Sequence, residues 1–383
     1  MLKYTILLLT YCGLWQPSDW IPGSWKTYLY TIYTYSVFLT VYSITLLELL
    51  YLVTSTDEIE EIASNSFVSF SMISASAKAL NIFMNKSVIF DMIILLEKDS
   101  YQSKIDCKNI ILKKYNEMIN KNSLSYIIMV EVTMIVLVVT FSIINIPNRV
   151  FTTNILVPFG EITPFRFWFI YIFQNIAHAY ATSIHGAFDT LLPSMIYQIC
   201  CQFSILQNRF KILPDIIHNI KKFDETKKII LEKNKLSECV EHHLQIYEWA
   251  KKCNNIFGGI IFLQYSISSV VLCVSVYLLT KIEYGNPEFL PVVMYTMCMV
   301  IEIFILCYSG NQVTIESINV GHAIYDMDWT QFELSTKKNL MMIMNRTLHP
   351  VIFTGCHFVK LSIDSFTSLI KLSYSAYNLL QSG

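Results

Sequence analysis

Long apolar stretches alternate along this chain with polar, lysine-rich breaks. A helix needs about 20 mostly apolar residues to cross a bilayer, and the sequence predicts seven such spans. They run from Tyr28 to Val53, Phe67 to Leu96, Leu124 to Ile146, Phe165 onward and less apolar towards Leu206, Ile256 to Thr280, Phe289 to Gln312, and His357 to Gln381. A short amphipathic helix is expected from Asn339 to Leu348, with Pro350 and Gly355 separating it from the last span. The stretch from Asn208 to Asn255 is too long for a simple turn. Ile212, Ile216, Ile217 and Ile220 recur in it at helical spacing, as do Leu244, Ile246, Tyr247 and Trp249. The fourth, fifth and sixth spans are therefore expected to project beyond the membrane and bundle there, with 207–255 and 316–350 as helical anchor segments.

The last span breaks the apolar pattern. It reads HFVKLSIDSFTSLIKLSYSAYNLLQ and carries Lys360, Asp364, Lys371 and Asn378 among its serines. Polar and ionisable groups at membrane depth face a protein interior or a water-filled path, so the segment 356–383 is expected to line something wet. Leu372, Ser375, Leu379 and Ser382 follow one another at steps of three and four, on one helix face. Hydroxyls alternating with leucines suit a wet path with an apolar constriction that gates by dewetting. Asp364 reads as structural, bonding a neighbouring span or capping the start of the helix. Lys371 calls for an acid on another helix, with Glu302 and Asp189 as candidates.

Composition agrees with this class. The 383 residues are 54% hydrophobic and 15% charged, with a mean hydropathy of +0.45; ordinary globular domains carry about 25% charged residues. The net charge of -1 gives no sign of a nucleic-acid partner. The position of the charges is more informative. Lysine and arginine crowd the breaks after the second span (Lys98, Lys104, Lys108, Lys113, Lys114, Lys121), the fourth (ten between Arg209 and Lys252) and the sixth (Lys337, Lys338, Arg346). The break after the first span has none, only Asp57, Glu58, Glu60 and Glu61; the others hold Arg149 and Arg166, or Lys281 alone. The positive-inside rule then predicts an inverted topology, N-terminus cytoplasmic and C-terminus extracellular. That is opposite to a G-protein-coupled receptor, and no DRY or NPxxY motif occurs. The N-terminal MLKYTILLLTYCGLW lacks a small-x-small cleavage site and is read as a segment retained near the cytoplasmic face. The ten cysteines form no CxxC and have no histidine at metal spacing, so they read as buried thiols. No GxSxG, P-loop or HExxH is present; no enzyme activity, cofactor or metal is expected. Gly258 and Gly259 open the fifth span, where they permit close helix packing. An odd span count with no visible internal repeat argues against a transporter.

Ordered along almost the whole chain are motifs that resemble the insect odorant receptor family. Cys12-Gly13-Leu14-Trp15 with Pro17 is similar to its opening, and Lys78 to a lysine of its second span. Between Pro158 and Phe210, Pro164, Tyr171, Gln174, Asp189-Thr190-Leu191, Gln202 and Leu206 resemble its fourth span. Gly310-Asn311, Glu316-Ser317, Ala323-Ile324-Tyr325 and Trp329 resemble its sixth span and the loop after it. Asn339 to Met344 looks like its short helix, and Leu361 to Phe366 with Ser373-Tyr374-Ser375 like its closing signature. Ala376, Asn378 and Lys360 depart from that signature. Gln381 is followed by Ser382 rather than the phenylalanine of the related gustatory receptors.

The resemblance implies an all-α membrane protein of seven transmembrane helices with inverted topology and a helical cytoplasmic anchor region. It implies an odorant-gated, non-selective cation channel, heterotetrameric with the odorant receptor co-receptor, in the plasma membrane of a sensory neuron dendrite. The last helix would line the pore, with Leu379 at the hydrophobic gate. A small volatile organic ligand would sit in the outer half of the bundle, between the second, third, fourth and sixth spans. Candidates there are Phe70, Ile73, Phe141, Asn145, Trp168, Tyr171, Gln174, Asn175, His178, Met294 and Tyr295. Each also reads as core packing, and Trp168 and Tyr171 also as interface aromatics in contact with membrane lipid. A gustatory-type channel and a metabotropic seven-helix receptor are the alternative classes.

Overall fold

The structure, a computed structural model, describes residues 2–17, 20, 23–55, 59–97, 106–157, 163–218, 225–282 and 285–382. Asp57, Glu58, Lys98, Lys104, Ile220, Lys221 and Lys222 lie outside them, as do the side chains of Glu60, Glu61, Cys107, Lys108, Leu379, Gln381 and Ser382. Nine α-helices are found among the described residues: α1 (Lys3–Tyr11), α2 (Trp25–Thr54), α3 (Ile59–Glu97), α4 (Asp106–Asn148), α5 (Pro164–His218), α6 (Glu225–Lys281), α7 (Phe289–Asp326), α8 (Leu334–Thr347) and α9 (Ile363–Ser382). The seven expected spans map in order onto α2 to α7 and α9. Five of them, α2, α3, α4, α6 and α7, are long and apolar enough to cross a membrane.

α5 is the axis of the bundle. It opens on Thr163, whose side chain accepts from the Arg166 backbone N–H, with Pro164 in the first helical position where its missing N–H costs nothing. Every residue from Gly186 to Phe203 is buried, and α1, α2, α3, α4, α6 and α7 all pack against α5. The N-terminal segment goes deeper than a surface lie would take it. α1 tucks against α5, and the Thr5 hydroxyl donates to that of Thr190 at 3.0 Å. The turn after α1 needs Gly13 at φ +75, and it buries Cys12, Leu14 and Trp15. Tyr30 of α2 locks that turn by donating to the carbonyls of Thr10 and Trp15.

The lysine-rich end is helical, as the isoleucine spacing predicts. The lower half of α6 runs beside the end of α5, where His242 bonds Gln202 at 3.0 Å and Ile246 is fully buried. Further down, Glu232 of α6 accepts from the Glu333 backbone N–H and the Thr336 hydroxyl at the start of α8. Arg346 of α8 lies 3.9 Å above the Tyr247 ring. α7 and α8 meet at Gly321, where a Cβ would overlap Thr347. Leu244, by contrast, is 58% exposed, so only part of the expected stripe faces inward.

The last span differs from expectation at its start. Residues 354–360 form a two-stranded antiparallel hairpin, Thr354 opposite Lys360 and Gly355 opposite Val359, and the helix begins only at Ile363. Cys356 and His357 make the turn at φ 47 and 65. Gly355 packs on the α6 backbone at Phe262, and Gly258 faces the Thr354 carbonyl. Gly259 meets nothing within 4 Å, so of the expected glycine pair only Gly258 marks a close approach. Ser362, not Asp364, caps the helix, its hydroxyl accepting from the Ser365 N–H; Asp364 is exposed in the first turn.

Candidate functional site

A cavity of about 1070 Å³ opens at the lysine-poor end of the bundle. Its walls come from the first turns of α3, the second half of α4, the segment 150–154, the first half of α5, the end of α6 and the start of α7. Of the expected ligand residues, Phe141, Asn145, Asn175, His178 and Tyr295 line it. The other six stand behind or beside the wall. Tyr171 is buried and its hydroxyl bonds that of Ser142 across to α4 at 2.9 Å. Trp168 packs edge-on against Phe167 and Tyr171 and is half exposed. Gln174 is fully buried, its amide donating to the Thr153 carbonyl at 2.9 Å and to the Thr153 hydroxyl. Phe70 and Ile73 pack on the main core, and Met294 is half-buried outside the lining.

The same bonds explain how a non-helical segment forms one wall. Asn65 accepts from the Asn154 backbone N–H at 3.0 Å, and Asn175 donates to the Thr152 hydroxyl at 3.2 Å. Thr153 in turn donates to Glu48 at 2.7 Å, and Glu48 also holds His178 at 2.9 Å. Irregular backbone inside a membrane protein must have its polar groups satisfied by neighbours; here Asn65 of α3 takes the Asn154 N–H and Gln174 of α5 the Thr153 carbonyl, while Glu48 of α2 and Asn175 of α5 hold side chains of the segment.

The floor of the cavity holds the groups that sequence reasoning missed. Lys78 of α3 is fully buried and sits 2.7 Å from Asp189 of α5 and 2.8 Å from Glu302 of α7. Lys371 does not reach these acids; it is exposed on α9, and Lys78 fills the role. Gln264 of α6 donates to both carboxylates, and Tyr126 of α4 donates to Asp189 at 3.5 Å. Five helices are thus joined at one point. His185 completes the ring: its Nδ1 is 2.9 Å from the Lys78 ammonium and its Nε2 3.0 Å from the Ser71 carbonyl. His185, Asp189 and Glu302 place three ligand atoms within 4.8 Å of one another. Lys78 occupies the centre of that cluster, so its own positive charge stands where a metal ion would. Phe67, Ser71, Tyr126 and Thr133 also line the cavity. Single charges within spans were the available signal for this floor.

On α9, Leu369 and Ser373 face inward against α6 and α7, while Leu372 and Ser375 are exposed. The Ser375 hydroxyl donates to the Lys371 carbonyl at 2.9 Å. Leu379 and Ser382 continue that exposed face by helical spacing, but their side chains lie outside the described residues.

The described residues thus form a bundle of long helices, five of them apolar enough to cross a membrane, with a cavity at one end and a packed helical base at the other. A family model described as 7tm Odorant receptor matches residues 58–374, and the chain belongs to that family. It is 20% identical to Odorant receptor 46a, isoform B, of Drosophila melanogaster over 99% of this chain and 97% of that one. To isoform A it is 27% identical, with 58% of this chain and 57% of that one covered. Odorant receptor 10 of Aedes albopictus is 26% identical over 55% of this chain and 54% of its own length. Over the two matches of higher identity the chain spans a little over half the length of its relative. The fold is that of the insect olfactory receptor OR5 from Machilis hrabei, solved in complex with eugenol: TM-score 0.86 at 15% identity, covering 100% of this chain and 98% of that one. The chain is therefore a member of the odorant receptor family with the fold of a multi-pass membrane protein, and the relatives it matches are receptors.

Proposed function

We propose that this chain is the ligand-binding subunit of an odorant-gated, non-selective cation channel. It works in a heterotetramer with the odorant receptor co-receptor, in the plasma membrane of a sensory dendrite. The observation that carries the ligand half of this reading is the 1070 Å³ cavity, where Phe67, Phe141, Phe151 and Tyr295 stand beside polar groups such as Asn145, Asn175 and His178. Ligand sites are enclosed, largely apolar cavities of roughly this size. OR5, which shares the fold, is a precedent for a small ligand. The channel half rests on α9, a 20-residue helix packed on one face only, whose open face carries Leu372 and Ser375. An unpacked polar face in a membrane needs water or another subunit. Leu379 is the gate of that reading, and Ser382 continues the lining. The lysine-rich helical base is cytoplasmic and the cavity faces outward, following the positive-inside rule.

The test is whole-cell current in cells expressing this chain with the co-receptor, against a broad volatile panel and with G-protein signalling blocked. A fast cation current absent from co-receptor-only cells is expected. Ala181→Phe, which fills the cavity from α5, should abolish it while surface expression persists. A current that vanishes with the G-protein block would make the receptor metabotropic. A C-terminal tag accessible only after permeabilisation would overturn the orientation.

A further inference from the structure

We infer that the cavity selects ligands whose head group donates a hydrogen bond, a hydroxyl or a protonated amine, over ethers and ketones of the same carbon frame. This rests on the cavity being the odorant site. The selecting group is Glu302. It is 4% exposed and lines the cavity. Its Oε1 accepts from Lys78 at 2.8 Å and from Gln264 at 2.7 Å, while Oε2 has no hydrogen bond among the described residues. A carboxylate oxygen can only accept.

Charge bookkeeping points the same way. Lys78 carries one positive charge and faces two carboxylates, Asp189 and Glu302. His185 cannot supply a second. An ammonium has only donors, so the His185 Nδ1 facing it must present a lone pair. The Nε2 facing the Ser71 carbonyl must then hold the ring's single proton. The imidazole is then neutral, and ionised Asp189 and Glu302 outnumber Lys78 by one on the floor of a cavity that Phe67, Phe141 and Tyr295 line together with Asn145, Asn175 and Thr133. Buried charge is costly unless paired and hydrogen-bonded. A donor head seated on Glu302 relieves that cost, and a cationic head relieves it most. The rings of Phe67 and Tyr295, 5.0 Å apart on the wall above, suit either an aromatic frame or an ammonium.

Matched sets on one frame provide the test: amine, hydroxyl, methyl ether and ketone, applied to the receptor co-expressed with its co-receptor. The donor members should activate at concentrations about tenfold or more below the ether and ketone, the discrimination expected of one charge-assisted bond. Amine against hydroxyl then reports whether charge or donation dominates. Glu302→Gln, which places an amide donor on the floor, should erase the gap or invert it, and Glu302→Asp should keep it. Ether and ketone as potent as the donors in the unaltered receptor would overturn the inference, with no variant needed. So would a gap that survives Glu302→Gln. If Ala181→Phe leaves every ligand's response intact, the cavity reading itself falls instead, whatever the rank order within the set.

Discussion

α4 and α5 lie side by side and invert the rule that water-soluble proteins follow. α4 is among the helices apolar enough to span a membrane, yet only 11% of its most apolar stretch is buried. Ile128, Ile135, Val139 and Ile143 all point away from the bundle. α5 is not among those helices, carries Asp189, His178, His185, Gln174 and Gln198, and is buried along most of its length. Four polar side chains along α4 turn inward to meet it. Ser123 meets Ser194, Tyr126 meets Asp189, Glu131 accepts from Ser183, and Ser142 meets Tyr171, each across to α5. Lipid chains are as apolar as leucine, so burying an aliphatic side chain against protein gains little over leaving it in lipid, and helices associate through packing and polar contacts. Polarity along a span therefore marks the interior, and the cavity is walled by the polar side of that division.

The comparison breaks most sharply at Lys78. Lys78→Met removes the ammonium that Asp189 and Glu302 share and leaves two unpaired carboxylates at full burial. Removing one partner of a buried ion pair costs about 3–5 kcal/mol, so this variant should fail to reach the cell surface. Adding Asp189→Asn and Glu302→Gln should restore most of the surface protein, measured by surface biotinylation. A single Lys78→Met variant that traffics normally would mean the cluster is not structural. Next in size is a paired truncation. Leu191→Ala on α5, where the side chain is fully buried, should cost about 2–5 kcal/mol. Ile135→Ala on α4, where the side chain is 61% exposed, should cost about 0.5 kcal/mol or less, the usual size of a surface change. Melting temperatures of the two purified receptors measure the difference; equal shifts would show that α4 is covered by protein in the assembled state. Smaller again is Tyr171→Phe. It removes only the 2.9 Å bond between Ser142 and Tyr171, a loss of about 0.5–1.5 kcal/mol. It should move the melting temperature by a degree or two and leave trafficking intact.

How much of this was legible in the sequence follows from the same division. The helices that face lipid announce themselves, and their order, the helical base and the family were readable from periodicity and motif spacing. α5 read as merely less apolar, because a single chain does not say which polar stretch another helix will cover. The Lys78 cluster was hidden by distance. Its partners are 111 and 224 residues away, so each charge was visible and none of the pairings was, and Lys371 was matched to acids that Lys78 holds. The hairpin before α9 gave no turn signal, since Cys356 and His357, not glycine or asparagine, take the left-handed conformations. Five of the eleven expected ligand residues line the cavity at the lysine-poor end. Of the six that miss its lining, the four on α5 and α7 share those helices with three of the five that reach it, and differ from those by rotation about the helix axis, which hydrophobicity alone does not resolve.

The helical base offers the mildest test, through pH. His243 lies on α6 below the expected start of its span and packs against Phe203 and Tyr247. Burial, and after it the Arg346 charge nearby, pull its pKa down from 6.5 to about 4. A histidine depressed on folding stays neutral in the native base while the unfolded chain takes up a proton. The unfolded state therefore binds more protons between pH 6.5 and 4, and stability is lost as pH falls through that window. Above pH 6.5 the contribution is complete and constant. Melting temperature of the purified receptor should thus decline on acidification from pH 7 to 5, with the α6–α8 contacts loosening first. His243→Phe keeps an aromatic ring against Phe203 and Tyr247 and removes the titration, so its decline should be shallower. The cavity end supplies the contrast: Glu48 and His178 bond each other there, remote from His243. If His243→Phe melts with the same pH slope as the unaltered receptor, the acid sensitivity does not come from His243.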